Sequence, residues 1–250
     1  MNHKQITEKY YSKWIGWENI LNSESYGVTF CYSQERNKVQ YGYSQPFDLY
    51  VFIQDDRIIF SYGNKIIDKI SDIQKRICKI LSTEELKQLL NSMFKNCIGH
   101  NIKYVFNESS NLDIELKSRT LGASEYSKYL EFYKQIHPNC KQLDWLQDYF
   151  AEMVNENLCC GLFDKDILVC CSDAPGMPYL QEIVQEIGIN TLDNFKKKGY
   201  ATDVCMSCVR EIIKNGKSPQ WSTTIDNIAS QKLAEKVGFV KFADILTLTL

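Results

Sequence analysis

The stretch that most constrains this chain is Asn194-Phe195-Lys196-Lys197-Lys198-Gly199-Tyr200-Ala201-Thr202. An apolar strand pattern through Ile183, Val184, Ile187 and Ile189 leads into it. Beyond it, Ala201, Val204, Cys205, Cys208, Val209, Ile212 and Ile213 recur at helical spacing. The order is a strand, a glycine turn and a helix. A helix that begins at a glycine leaves its first backbone N–H groups without internal partners and presents the positive end of its dipole, so an anion can settle there. Three lysines immediately upstream raise the local potential. Such a turn suits a pyrophosphate.

Composition narrows the setting. A length of 250 residues falls between one and two domains and allows a substantial core. The balance of 29 basic and 31 acidic residues gives a net charge of −2, which argues against a chain that coats nucleic acid, so any basic site is local. No run approaches the roughly 18 apolar residues of a membrane span. The 10 cysteines lie in apolar surroundings, as in Cys159-Cys160 and Cys170-Cys171, with no signal peptide ahead of them. They read as reduced core residues of a soluble, cytoplasmic protein. Cys205 and Cys208 sit three apart on one apolar stripe without two further ligands at metal spacing, so packing is their expected role. His3, His100 and His137 are scattered, and no metal site is expected.

The order of elements predicts a mixed α/β (α+β) fold. Ile6, Tyr10, Trp14, Trp17 and Leu21 mark an amphipathic helix over 3–21 that covers a sheet. Strands are expected at 27–32, 48–53 and 57–62, the last two joined through Gln54-Asp55-Asp56, followed by helices at 65–80 and 83–98. Ser82 with Glu85 reads as a capping box for the second helix. A strand at 101–107 precedes the polar stretch Glu108-Ser109-Ser110-Asn111, which places a domain boundary there, between 1–110 and 112–250. The second part then reads as a strand (112–117), helices (123–136, 143–155), a hairpin (158–163, 167–173), the Pro175-Gly176-Met177-Pro178 turn and a strand (182–191). A helix (199–215), a short strand with Trp221, a helix (227–237) and a final strand complete it.

Over about residues 112–250 this pattern resembles the GNAT superfamily of acetyl-coenzyme A-dependent N-acetyltransferases. Lys196-Lys197-Lys198-Gly199-Tyr200-Ala201 is similar to the family's phosphate loop, R/Q-x-x-G-x-G/A, with Lys196 at the position of the usual Arg or Gln. Lysine there keeps the charge but replaces a planar fork by a point charge. Asn227, Ser230, Gly238 and Phe239 match the downstream pattern, and Pro219-Gln220-Trp221-Ser222 stands between the two halves. Glu186-Ile187-Gly188-Ile189, Thr191, the Trp-Ser pair and Ala234-Glu235-Lys236 look most like the two-domain subgroup that includes zwittermicin-resistance acetyltransferases. The resemblance implies a GNAT-type mixed, largely antiparallel sheet flanked by helices, preceded by a smaller α/β part. It implies that the strand 183–191 splays from its neighbour and offers backbone groups near Ile189 and Thr191 to the pantetheine arm. It also implies that amides from Lys197 through Lys198, Gly199, Tyr200 and Ala201 to Thr202 hold the pyrophosphate, and that Asn227 contacts acetyl-coenzyme A. Many relatives carry a tyrosine seven residues after that asparagine to protonate the leaving thiolate, where this chain has Ala234.

Amine acetylation needs a neutral nitrogen, and free alkylamines hold their proton to a pH of roughly 10. Glu186, on the strand beside the expected thioester, is the first candidate for a general base, directly or through a water; the alternative is a carboxylate on a solvated strand face. Asp173 and Glu182 flank the Pro175–Pro178 turn and read either as acceptor-binding acids or as surface acids. A backbone N–H near Ile189 could stabilise an oxyanion, with the remaining rate coming from holding amine and thioester together. Asn227 alone would read as a helix cap, the lysine run as a solvated patch and Trp221 as structural.

Two functions stay open. One is transfer of an acetyl group to a primary amine of a small molecule, by a monomer or homodimer without nucleic-acid or membrane partners. The other is a GNAT-fold module that holds an acyl-coenzyme A without turning it over. Residues 1–110 carry no readable chemical motif; the two-domain subgroup would make them a degenerate copy of the same fold. Only 11 residues follow Phe239, enough for one strand rather than the two that commonly end the fold. A strand from 27–62 or 101–107 is therefore expected to complete the sheet or cover its edge.

Overall fold

The computed structural model describes residues 1–23, 26–77, 81–95, 98–110 and 112–250. Helix α1 (His3–Ile15) starts at Asn2, whose side chain accepts from the Gln5 N–H, and stops at Gly16 in the left-handed region. Tyr10, Tyr11, Trp14 and Ile15 are buried on its inner side. After β1 (Gly27–Tyr32), strands β2 (Leu49–Gln54) and β3 (Arg57–Tyr62) form the expected hairpin, with Gln54 opposite Arg57. Helices α2 (Ile70–Arg76) and α3 (Thr83–Phe94) follow, and Ser82 and Glu85 make both bonds of the capping box. Strand β4 (Gly99–Phe106) closes this part. Residues 78–80 and 96–97, in the helical stretches expected from the sequence, lie outside the described residues, as does Asn111 of the expected linker.

The remaining elements are β5 (Arg119–Thr120), α4 (Tyr126–Ile136), α5 (Leu146–Asn155), β6 (Cys160–Asp164), β7 (Ile167–Asp173), β8 (Val184–Glu186), β9 (Gly188–Thr191), α6 (Tyr200–Lys214), β10 (Ser218–Thr224), α7 (Ile228–Val237) and β11 (Phe239–Leu248). Two expectations for this second part of the chain need correction. Residues 112–117 form no strand, because several of their backbone groups are taken by side chains of α6. The Arg210 guanidinium donates to the carbonyls of Leu112 and Ile114, and the amides of Lys117 and Ser118 donate to the Asp203 carboxylate at 2.9 and 2.8 Å. Backbone groups already bonded to side chains need no ladder. The stretch 182–191 is two strands rather than one, and the strands make two sheets. One is mixed and seven-stranded, in the order β1-β3-β2-β11-β4-β10-β8; the other is antiparallel and four-stranded, β5-β6-β7-β9.

Strand β4 lies between β10 and β11 and is antiparallel to both, with Tyr104 opposite Trp221 on one side and Lys241 on the other. Strand β2 then pairs with β11 on its far side, from Leu49–Leu248 to Ile53–Asp244. Both candidate segments, 27–62 and 101–107, therefore join the sheet that residues after 112 begin. Alternation along β4 serves two cores. Ile102, Tyr104 and Phe106 pack with Tyr129, Phe150, Val209 and Phe239 beneath α4–α7, whereas Val105 joins Tyr11, Trp14, Phe52 and Ile245 under α1. A third core holds Val51, Phe60, Ile73, Leu86 and Leu90 against α2 and α3. Cys205 and Cys208 are fully buried free thiols in the first core. Among the described residues no helix is long and apolar enough to cross a membrane.

The placement of β4 generates a test. Residues 112–250 expressed alone retain β10 and β11 with no strand between them and expose the apolar side chains that β4 covers. Such a fragment is expected to be insoluble or to melt without a cooperative transition, measured by circular dichroism, while the whole chain unfolds cooperatively.

Candidate active site

The site begins where two strands part. β8 runs parallel to β10, from Val184–Ser218 to Glu186–Gln220, and the Ile187 N–H donates to the Gln220 carbonyl at 3.1 Å. From Gly188 the chain turns away and β9 pairs with β7, placing Gly188 opposite Asp173 and Thr191 opposite Cys170. A Cβ on Gly188 would lie 2.7 Å from the Cβ of Asp173, so the close approach requires glycine there. Strand β9 is the last in its sheet, and among the described residues the edge it turns toward β10 carries no strand partner.

A groove of about 1160 Å³ occupies this opening. Ile189 and Thr191 line it from β9, with the Thr191 hydroxyl 3.1 Å from the Cys170 sulfur. At one end it reaches the start of α6, lined by Lys196, Lys197, Gly199, Tyr200, Ala201 and Thr202. Gly199 has φ 85°, and no side chain caps the helix. A Cβ there would meet nothing within 4 Å, so backbone conformation rather than space calls for glycine. The first helical bond runs from the Asp203 N–H to the Gly199 carbonyl at 3.2 Å, which leaves the amides of Tyr200, Ala201 and Thr202 without helix acceptors. Lys198 does not line the groove; its ammonium sits 4.7 Å from the centre of the Phe195 ring. Lys196 pairs with Asp193 at 2.6 Å on the surface, so the lysine run brings less net charge than three lysines suggest. Asn227 both caps α7, accepting from the Ser230 N–H at 3.1 Å, and lines the groove.

Glu186, Pro175, Gln135 and Ile136 also line the groove. Glu186 is half-buried, and burial pushes its carboxyl pKa up, opposed by the positive charge of Lys103. It is thus not a carboxylate on a freely solvated strand face. Asp173 is engaged by the Tyr149 hydroxyl, and Glu182 is exposed. Trp221 is buried, with its ring N–H on the Ser230 hydroxyl at 3.1 Å and its face against Phe239. Ala234 is fully buried in the first core, while Ala229, Ser230, Leu233 and Lys236 are the α7 residues that face the groove.

Two polar residues here, Asn101 and Lys103, escaped the sequence reading, and Ser222 entered it only as part of the family pattern. Asn101 and Ser222 line the groove, and the Lys103 ammonium donates to the Ser222 hydroxyl at 2.6 Å. The available signal was the alternation Asn101-Ile102-Lys103-Tyr104, which puts two polar side chains on one face of a strand. Among the described residues no cluster of three or more His, Cys, Asp or Glu side chains could hold a metal ion.

A family model described as GNAT acetyltransferase matches residues 27–244. The chain belongs to the GNAT acetyltransferase family. The acyl donor of this family is acetyl-coenzyme A. No curated protein sequence matches the chain. Among solved structures it is similar to a GNAT-family acetyltransferase from Colwellia psychrerythraea, at 15% identity over 62% of this chain and 58% of that one, with a TM-score of 0.51. It is also similar to a GCN5-related N-acetyltransferase from Sphaerobacter thermophilus, at 12% identity over 67% and 56% of the two chains and a TM-score of 0.52. The match thus spans 58% and 56% of the lengths of these relatives, and at such identities the likeness is one of fold.

Gly199 offers a direct test of the donor end. Gly199→Ala is expected to cost about 1 kcal/mol of stability through the left-handed backbone alone. Gly199→Glu adds a carboxylate at the uncapped helix start and should abolish the thermal stabilisation that coenzyme A gives the unaltered protein, as read by a thermal-shift titration of the three proteins.

Proposed function

We propose that the protein transfers an acetyl group from acetyl-coenzyme A to a primary amine of a small molecule, by direct attack within a ternary complex. The observation that carries this reading is the single groove that joins an uncapped helix N-terminus, an unpaired strand edge and a half-buried carboxylate. The amides from Lys197 to Thr202 bind the pyrophosphate, and Lys196 and Lys197 add positive charge. Backbone groups of Ile189 and Thr191 on the open edge of β9 bind the amide-bearing pantetheine arm. Acetyl-coenzyme A supplies the activated acyl group. The side chain of Asn227 has its oxygen committed to the α7 cap, so its NH2 is the part that turns to the donor. Glu186 takes the proton from the amine, and an N–H near Ile189 stabilises negative charge on the acyl oxygen. Gln135, Ile136 and Pro175 bound the acceptor end.

The same reading makes the protein a cytoplasmic monomer or homodimer of the two-domain subgroup that includes zwittermicin-resistance acetyltransferases. Residues 1–110 are then a degenerate partner of 112–250 that completes its sheet. One observation favours the second reading, an acyl-coenzyme A-binding module: the family's usual tyrosine position is occupied by Ala234, sealed in the core.

Mixing the protein with acetyl-coenzyme A, a panel of primary amines and a thiol reagent separates the two. Release of coenzyme A thiol that depends on the amine supports transfer; tight binding without release across the panel supports the module. For a transferase, Glu186→Gln should lower kcat about a hundredfold or more. The carboxylate must be ionised to act, and burial raises its pKa, so the rate falls as pH drops through a value above the usual carboxylate range. That acid limb should vanish in Glu186→Gln.

A further inference from the structure

We propose that Ser222, backed by Lys103, is the acid that protonates the departing sulfur; this rests on the groove being the acetyl-coenzyme A site. The need arises on α7. Seven residues after Asn227 the chain has Ala234, and that side chain points into the core, so the helix supplies no acid from this position. The groups that α7 does turn to the groove include Ser230, whose hydroxyl already accepts from Trp221 at 3.1 Å.

Strand β10 supplies an alternative at the point where the strands part. Glu186 is paired with Gln220, the last register pair before the gap opens, and Ser222 is two residues further along. Side chains two apart share a face of a strand, so Ser222 lies on the same face as Glu186, opposite the open edge of β9. Across the ladder Ser222 is the register partner of Lys103, and the two are hydrogen-bonded at 2.6 Å. An ammonium has three donors and no acceptor, so the serine oxygen must accept from Lys103. The hydroxyl proton is consequently directed away from the lysine, and Ser222 borders the groove. Burial lowers the pKa of Lys103, opposed by Glu186, which makes its ammonium a readier proton source than a surface lysine.

The proton accounting closes. As the N–C bond forms and the C–S bond breaks, the sulfur takes the Ser222 hydroxyl proton and Ser222 takes one from Lys103. The amine proton goes to Glu186, and after product release it passes from Glu186 to Lys103. No oxidant, reductant or external proton is required. Ser222 touches the reacting sulfur and is the catalytic residue of the pair; Lys103, acting through it, is a positioning residue and proton store.

The test needs no acceptor. Coenzyme A bound to the whole protein is titrated by its thiolate absorbance against the protein alone, with binding measured separately by calorimetry. A donor hydrogen bond backed by a positive charge should lower the bound thiol pKa by about 1 unit or more relative to free coenzyme A. Ser222→Ala and Lys103→Met should return it to the free value while still binding coenzyme A, and Ser222→Thr, which keeps a hydroxyl, should retain the shift. Equal thiol pKa values in the unaltered protein and Ser222→Ala, both binding coenzyme A, overturn the proposal and leave the donor site standing. A shift lost in Ser222→Ala but kept in Lys103→Met overturns the part given to Lys103. Failure of the unaltered protein to bind coenzyme A overturns both the proposal and the reading it rests on.

Discussion

Everything in this fold depends on the double ladder of β4. A strand inside a sheet must satisfy backbone groups on both edges, and β10 and β11 each meet one edge of β4. Without it the seven-stranded sheet would fall into two pieces, each with a new open edge, and the cores on its two faces would lose a common wall. The seam with β11 is pinned beyond the backbone. His100 meets Asp244 at 2.9 Å and Lys241 meets it at 2.6 Å, beside the irregularity between Lys241 and Ala243. Burial pushes the Asp244 carboxyl up, but the hydrogen bonds of His100 and Lys241 outweigh it and hold the pKa below the ordinary value. The strand that completes the sheet also brings Asn101 to the groove and Lys103 to Ser222 on its wall, so residues before the polar stretch at 108–111 contribute to the site.

The groove exists because the chain changes sheets between Glu186 and Gly188. A continuous strand over 182–191 would have kept pairing with β10 and left no opening. Turning toward β7 leaves one edge of β9 unpaired, and hydrogen-bonding capacity left open at a sheet edge is what an extended, amide-bearing ligand can use. Gly188 makes the turn possible by letting the backbone approach Asp173. Four residues on from the end of β9, the run Phe195–Gly199 presents the helix start. An edge of backbone donors and acceptors followed by an uncapped helix is a geometry for a ligand with a neutral arm and an anionic end, and it depends on the backbone more than on any side chain.

That dependence explains what could be read from the residues. Gly199 as a helix start, the Ser82–Glu85 box, the Asp55-Asp56 hairpin and the apolar stripe of α6 are local patterns, and each leaves a mark within a few residues. The parting of the strand at Ile187 was legible only through likeness to a family. The strand expected at 112–117 failed because its partners, Arg210 and Asp203, lie about a hundred residues away and no local pattern records them. Lys103 failed for the same reason. A lysine alternating with apolar residues reads as an exposed strand face until the strand is found with neighbours on both edges. Asn227 was legible as a helix cap, and the same residue lines the groove.

Ala234 shows how the same helix can be kept while its chemistry changes. Cβ vectors at 229, 233 and 236 fall on one stripe of α7 and border the groove, whereas 234 and 237 fall on the stripe that meets the core. Ala234 leaves that packing close, next to Val237 and Phe239, and gives up any polar reach toward the groove. A proton donor facing the opening can then come from the sheet, where the β10 strand already runs along it. The sheet can supply a charged donor only if some strand beside β10 carries one, and that strand is β4. The apolar residue on α7 and the half-buried lysine on β4 thus belong to one arrangement, in which the part of the chain that completes the sheet also places a cation beside the site.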